Sequence, residues 1–188
     1  MKPPSSEADP EFQAALRELL DGSFDASAKW FGTGQELAAE QPQIVEWFRQ
    51  GFFHDQPQGL AEALSCACFL GCTSVAKFLL DHGVDPTQGD ATGMNAFHWA
   101  INRGKLETVR LLIQRQAPLE TRNTHGTTAL GTAVWSIIHE PWWPDQLRIV
   151  EELLDAGARA ENVEYPTGHE GVDALLRHSA RHESETRD

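Results

Sequence analysis

The sequence predicts an all-α solenoid, a stack of helix–turn–helix units. Small and apolar residues recur every 33 positions, and each recurrence falls on the same element of a two-helix pattern. The interval separates Leu64, Phe97 and Leu130, then Ala67, Ala100 and Ala133, and also the pairs Gly71 and Gly104, and Gly93 and Gly126. The composition, 40% hydrophobic and 23% charged, is typical of a folded chain. Because neither helix of a unit can bury its apolar stripe alone, we expect neighbouring units to share one continuous core.

Each unit begins with a short Ala- and Leu-rich helix, reverses at a turn, and ends with a Val-x-x-Leu-Leu helix. NAFHWA at 95–100 resembles the TPLHxA opening of the ankyrin repeat, and TAL at 128–130 repeats part of it. FLLDHGVDP and ELLDAGA resemble the second helix of that repeat with its Gly ending. On these motifs and the common period, the chain is identified as a member of the ankyrin repeat family over about residues 60–158.

We expect one ankyrin-repeat domain at residues 11–182, with an N-terminal helical cap and a C-terminal capping helix. The amphipathic segment 11–20 predicts the first cap, which covers the open end of a solenoid. Residues 1–10 and 183–188 are predicted to be a disordered N-terminus and a frayed tail. The units within the domain are a degenerate repeat at about 33–59, repeats at about 60–92, 93–125 and 126–166, and a capping helix at 171–182.

The third full repeat is eight residues longer than the period allows, and the excess lies between its two helices at about 137–145. Pro141 and Pro144 stop helix continuation there and flank Trp142 and Trp143. Two interpretations stay open at this point: both Trp side chains protrude, or one folds back over the helix ends.

The charge excludes some classes of partner. With 15 Lys and Arg against 28 Asp and Glu, the net charge is −13, which argues against binding nucleic acid or an anionic membrane. The sequence has no apolar run long enough to span a membrane and no signal-peptide pattern, so we expect a cytoplasmic location. Residues 93–125 differ from the rest, with five basic residues against two acidic ones. The middle repeat therefore carries a net positive charge in an otherwise acidic chain.

No motif indicates catalysis. Cys66, Cys68 and Cys72 lack a fourth metal ligand and are expected to be small buried residues. His98 occupies the His position of TPLHxA, where the resemblance implies a structural hydrogen bond to the neighbouring hairpin. We predict no catalytic residue, no metal site and no cofactor.

The resemblance implies that a ligand binds the concave side, at the hairpin tips and the exposed end of each first helix. Phe69, Leu70 and Trp135 are apolar where a solvated helix surface would be polar. An alternative stays open, in which the N-terminal residues or the insertion cover this strip in the free protein. Matching positions, extended into the insertion, give the candidate partner-binding residues Phe69, Leu70, Met94, Asn102, Arg103, His125, Trp135, Trp142 and Trp143.

The leading function is a non-enzymatic adaptor or scaffold that binds a protein through its concave face and the Trp-containing insertion. The alternative is an acidic inhibitor or immunity-type protein that neutralises a basic enzyme, because acidic surfaces steer onto basic active sites. Less favoured is an enzyme or small-ligand-binding protein that uses the insertion. The partner is expected to be a protein, with a basic one as an option, and the chain a monomer or weak homo-oligomer.

Overall fold

The structure is a computed structural model that describes residues 9–32, 41–89 and 91–185. These residues form ten α-helices and no strand, which confirms the predicted all-α solenoid. The helices are α1 Pro10–Leu20, α2 Phe24–Ser27, α3 Gln43–Arg49, α4 Pro57–Leu70, α5 Thr73–Asp81, α6 Ala96–Asn102, α7 Leu106–Gln114, α8 Ala129–His139, α9 Gln146–Asp155 and α10 Glu170–Glu185. Short 3-10 turns lie at Ala28–Trp30 and Ala160–Asn162. None of the helices in this part of the chain has the length and apolar character needed to cross a bilayer.

Three antiparallel pairs, α4 with α5, α6 with α7, and α8 with α9, form the centre of the stack. The first helices α4, α6 and α8 pack side by side, and α5, α7 and α9 make a second row. Ala67, Ala100 and Ala133 are fully buried where the first helices meet, since a small side chain permits close approach. Val109 and Leu112, also fully buried, fill the space between the two rows.

The turn between the paired helices explains the length of the third repeat. Gly71 and Gly104 adopt the left-handed conformation, with φ of 76° and 62°, and reverse the chain after α4 and α6. Ile137 occupies the matching position in the third pair, within α8, and it is buried at 6% exposure. Because Ile137 continues the apolar stripe, α8 runs on to His139 and stops before Pro141. The insertion expected at 137–145 is therefore helical over its first three residues.

The N-terminal cap is aromatic. The Phe12 ring on α1 makes edge contacts with Trp47, Phe52 and Phe53, with centroid distances of 5.1 to 5.4 Å. The side chain of Asp9 accepts hydrogen bonds from the backbone N–H groups of Glu11 and Phe12, and so caps α1.

Two predicted boundaries need correction. Residues 1–10 were expected to be disordered, but Asp9 caps α1 and Pro10 begins it, while residues 1–8 lie outside the described residues. The frayed tail expected at 183–188 is helical through Glu185, because α10 extends that far, and residues 186–188 lie outside the description.

The degenerate repeat expected at about 33–59 is described only in part. Its second helix corresponds to α3, which buries Ile44, Val45 and Trp47. The first helix expected of it would fall in residues 33–40, which lie outside the described residues. The degenerate repeat at about 33–59 therefore stays a prediction.

Candidate partner-binding surface

The candidate surface starts at an aromatic triad. The Phe69 ring, at the end of α4, lies 5.6 Å from the Phe24 ring and 5.0 Å from the Trp99 ring, with edge-to-face geometry in both pairs. Phe24 also contacts Trp99 at 5.9 Å. Phe69 is only 8% exposed, so the expectation that it is exposed is wrong. The reason is that α2 places Phe24 over it, which the period of the repeats does not encode.

Arg103 links the triad to the insertion. Its guanidinium carbon lies 4.3 Å from the centroid of the Phe69 ring and 5.5 Å from that of Trp143. The Lys105 ammonium lies 5.5 Å from the same Trp143 ring. Cations over aromatic faces are attracted by the ring quadrupole, so these contacts fix both the cations and the indole.

Trp143 and Gln146 anchor the insertion to the preceding repeat. A Cβ built on Gly104 would lie 2.8 Å from Trp143 Cβ, so Trp143 sits directly against this glycine. The Gln146 amide donates to the carbonyls of Ile101 and Asn102 at 3.3 and 3.4 Å, which satisfies two acceptors at the end of α6.

Asn102 belongs to this anchor. Its Nδ2 donates to Glu140 Oε2 at 3.2 Å and lies 3.4 Å from Ser136 Oγ. Asn102 is 9% exposed, which contradicts its expected place on the exposed strip. The longer α8 brings Ser136 and Glu140 over Asn102. Asn102 therefore stabilises the insertion from beneath and is not exposed to a partner.

The exposed part of the surface lies on the outer side of the insertion and the end of α8. Trp142 is 65% exposed, Trp135 47% and Ile138 43%. Trp135 stacks on His139 with a centroid distance of 4.6 Å and an interplanar angle of 16°. Of the two interpretations of the Trp pair, the structure agrees with the second: Trp143 folds back, and Trp142 protrudes.

The remaining candidate residues lie at the hairpins and the end of α4. His125 is exposed at a hairpin tip, while Met94 and Leu70 are half-buried. The Thr124 N–H donates to the Gly93 carbonyl at 3.0 Å, so adjacent hairpins are joined by a backbone hydrogen bond. The structure brings Phe69, Arg103 and Trp143 together and leaves His125 apart from them at its tip.

A groove of about 510 Å³ lies beside the triad, between the N-terminal segment and a hairpin. Gly22, Ser23, Phe24, Asp25, Ala26, Phe69, Thr92, Met94 and Trp99 line it. Of these residues, Phe69 and Met94 were predicted from the sequence as binding residues, whereas Phe24 and Trp99 were not. Trp99 lies two positions after the Phe of the repeated motif, so its place on the first helix could have been predicted from the period. Phe24 lies outside the repeats, so its place could not.

His98 on α6 forms a contact with the hairpin of the next repeat. Its Nε2 lies 3.1 Å from the Thr127 carbonyl oxygen, and its Nδ1 lies 2.7 Å from Asn95 Oδ1. Burial lowers the pKa of His98, while hydrogen bonding to the carbonyls of Thr127 and Thr121 opposes that shift. The ring therefore serves as a structural link between α6 and the next hairpin.

The three cysteines are buried and unpaired by disulfides. Burial raises the pKa of the Cys66, Cys68 and Cys72 thiols, which keeps all three protonated. Among the residues that the structure describes, no group of three His, Cys, Asp or Glu side chains is placed to hold a metal ion.

Comparison with known proteins agrees with this geometry. Residues 64–164, more than half of the chain, match the family described as ankyrin repeats in three copies. The chain belongs to the ankyrin repeat family. It is 29% identical over 129 residues to mouse protein phosphatase 1 regulatory subunit 12A, and 27% identical over 155 residues to the rat protein of that name. These matches cover 64% and 78% of the chain but only 12% and 14% of the relatives, so the chain spans a small part of their length.

Proposed function

We propose that this chain is a non-enzymatic adaptor or scaffold that binds a protein through its concave face and the Trp142 insertion. The observation that carries the proposal is Trp142, 65% exposed on a segment whose neighbours Trp143 and Gln146 are anchored to the preceding repeat. An exposed aromatic on a fixed backbone loses little entropy on binding, which is the property of an interface hot spot.

The relatives agree with a regulatory role. Both are named as regulatory subunits of protein phosphatase 1, and ankyrin repeats are in general protein-interaction modules. Protein phosphatase 1 is therefore a defined first candidate for a partner of this chain. The cytoplasmic location and the monomeric or weakly self-associating state remain part of the proposal.

Partner recognition would use four side chains of this surface. Trp135 and Trp142 supply exposed aromatic area, and Arg103 and Lys105 supply positive charge beside Trp143. Aromatic residues and Arg dominate interface energetics, at about 2 kcal/mol or more each when central. An interaction of this kind needs an apolar patch and an acidic group on the partner.

The acidic inhibitor remains a second candidate, because of the net charge of −13. Association with a basic enzyme would then depend strongly on salt, since charge steering is screened over about 8 to 10 Å at 0.1 to 0.15 M ionic strength. Equal association rates at 0.05 and 0.5 M NaCl would exclude this version and leave the adaptor.

The test measures partner affinity for the wild type, Trp135→Ala, Trp142→Ala and the control Tyr165→Ala. Tyr165 is 53% exposed and lies outside the insertion, so Tyr165→Ala also removes an exposed aromatic side chain but leaves the insertion unchanged. Candidate partners are purified protein phosphatase 1 and any protein captured with the wild type. We expect the Trp variants to lose at least tenfold in affinity and Tyr165→Ala to retain it.

A further inference from the structure

We propose that the groove beside the aromatic triad binds a lysine or arginine side chain of the protein partner. This inference rests on the proposed function and names one part of the partner's chemistry. The groove has a volume of about 510 Å³, within the usual range for ligand pockets of roughly 300 to 1,000 Å³.

The floor of the groove is suited to a cation. Trp99 is half-buried, and its indole Nε1–H donates to Thr92 Oγ1 at 2.9 Å, which fixes the orientation of the ring. Among the aromatic side chains, Trp attracts a cation most strongly through its face. The neighbouring Phe69 ring already has the Arg103 guanidinium 4.3 Å from its centroid, so a ring of this cluster accepts a cation in the protein itself.

The mouth of the groove carries negative charge. Asp25 lines it, and Asp21 directly precedes the lining residue Gly22 in the chain. Both carboxylates are exposed, and neither takes part in an ion pair or side-chain hydrogen bond with any other described residue. An incoming cation therefore meets the Asp25 carboxylate at the entrance and an apolar aromatic floor beneath it.

The walls are held in place. A Cβ on Gly22 would lie 2.5 Å from Thr92 Cγ2, so the turn between α1 and α2 sits directly against the opposite hairpin. Phe24 is 2% exposed and keeps α2 attached to Phe69 and Trp99. Such a groove admits a Lys or Arg side chain head first, with its aliphatic stem between the walls and its charged head on the Trp99 ring.

The experiment follows the Trp99 indole N–H by NMR, assigned with Trp99→Phe, while four capped tetrapeptides are titrated. They differ at one position, which holds Lys, Arg, norleucine or Glu. We expect saturable shifts with Lys and Arg, at least about fivefold tighter than with norleucine, and none with Glu. Equal affinity for norleucine and Lys would overturn the proposal.

Variants at the mouth provide the second arm. Asp21→Asn with Asp25→Asn, and separately Ala26→Lys, are expected to weaken the Lys peptide at least fivefold, with the other indole signals unchanged. The matched control is Asp155→Asn, an exposed carboxylate at the end of α9, the last helix of the second row. Unchanged Lys-peptide binding in both mouth variants would contradict the site. Because this assay needs neither Trp135 nor Trp142, it separates failure of the groove from failure of the proposed function.

Discussion

The Trp143 side chain packs against Gly104, the glycine at which the second full repeat reverses between its helices. The turn of the second repeat is thereby the packing site for the insertion of the third repeat. The insertion is a fixed part of the solenoid for this reason, and Trp142 is presented from it at a defined position.

Replacing Gly104 with Ala tests this contact. The added Cβ would lie 2.8 Å from Trp143 Cβ, on a backbone with φ of 62° that already disfavours side chains. The control Gly83→Ala has φ of 82° and no atom within 4 Å of its Cβ. We expect Gly83→Ala to cost about 1 kcal/mol in the free energy of unfolding and Gly104→Ala about 1 to 2 kcal/mol more. If urea denaturation gave equal losses in the free energy of unfolding for the two variants, Trp143 would not pack against Gly104.

The two neighbouring Trp residues should differ in their contribution to stability. Trp143→Ala removes a half-buried ring and two cation–π contacts, and we expect it to cost about 2 to 3 kcal/mol. Trp142→Ala removes a ring that is 65% exposed, and should stay within about 0.5 kcal/mol of the wild type. The reverse order in chemical denaturation would mean that the two side chains exchange places.

Gln146 should stabilise the end of α6. Gln146→Leu leaves the Ile101 and Asn102 carbonyls without this donor in a buried place, at an expected cost of about 1 to 3 kcal/mol. Gln114→Leu, at an exposed position at the end of α7, serves as the control and should change stability by less than about 0.5 kcal/mol. Thermal unfolding of both variants checks the difference.

His98 should make stability depend on pH. Its pKa is lowered in the folded protein, chiefly by burial, from the ordinary value of 6.5 that the unfolded chain retains. Below pH 6.5 the unfolded state therefore binds a proton that the folded state does not, and stability falls as the pH falls. We expect His98→Gln to lose less stability than the wild type between pH 7.5 and 5.5, by up to about 1.4 kcal/mol per pH unit. Parallel losses in urea titrations at the two pH values would exclude His98 as the source.

The period of the sequence was sufficient to predict the repeats, because Ala67, Ala100 and Ala133 each need the same close helix packing. It also located the insertion between the third pair of helices. Side-chain placement outside the period was harder: Phe69 and Asn102 were expected on the surface but are covered by Phe24 and by the longer α8. Such coverage comes from contacts between distant segments, which local spacing does not record.

The most direct test of the binding surface is the affinity of one identified partner for Trp142→Ala compared with Tyr165→Ala. Both changes remove an exposed aromatic side chain, and both should leave stability near that of the wild type. Calorimetric titration should give at least a tenfold increase in Kd for Trp142→Ala and no change for Tyr165→Ala. A Kd for Trp142→Ala equal to that of the wild type would contradict the proposed role of the insertion.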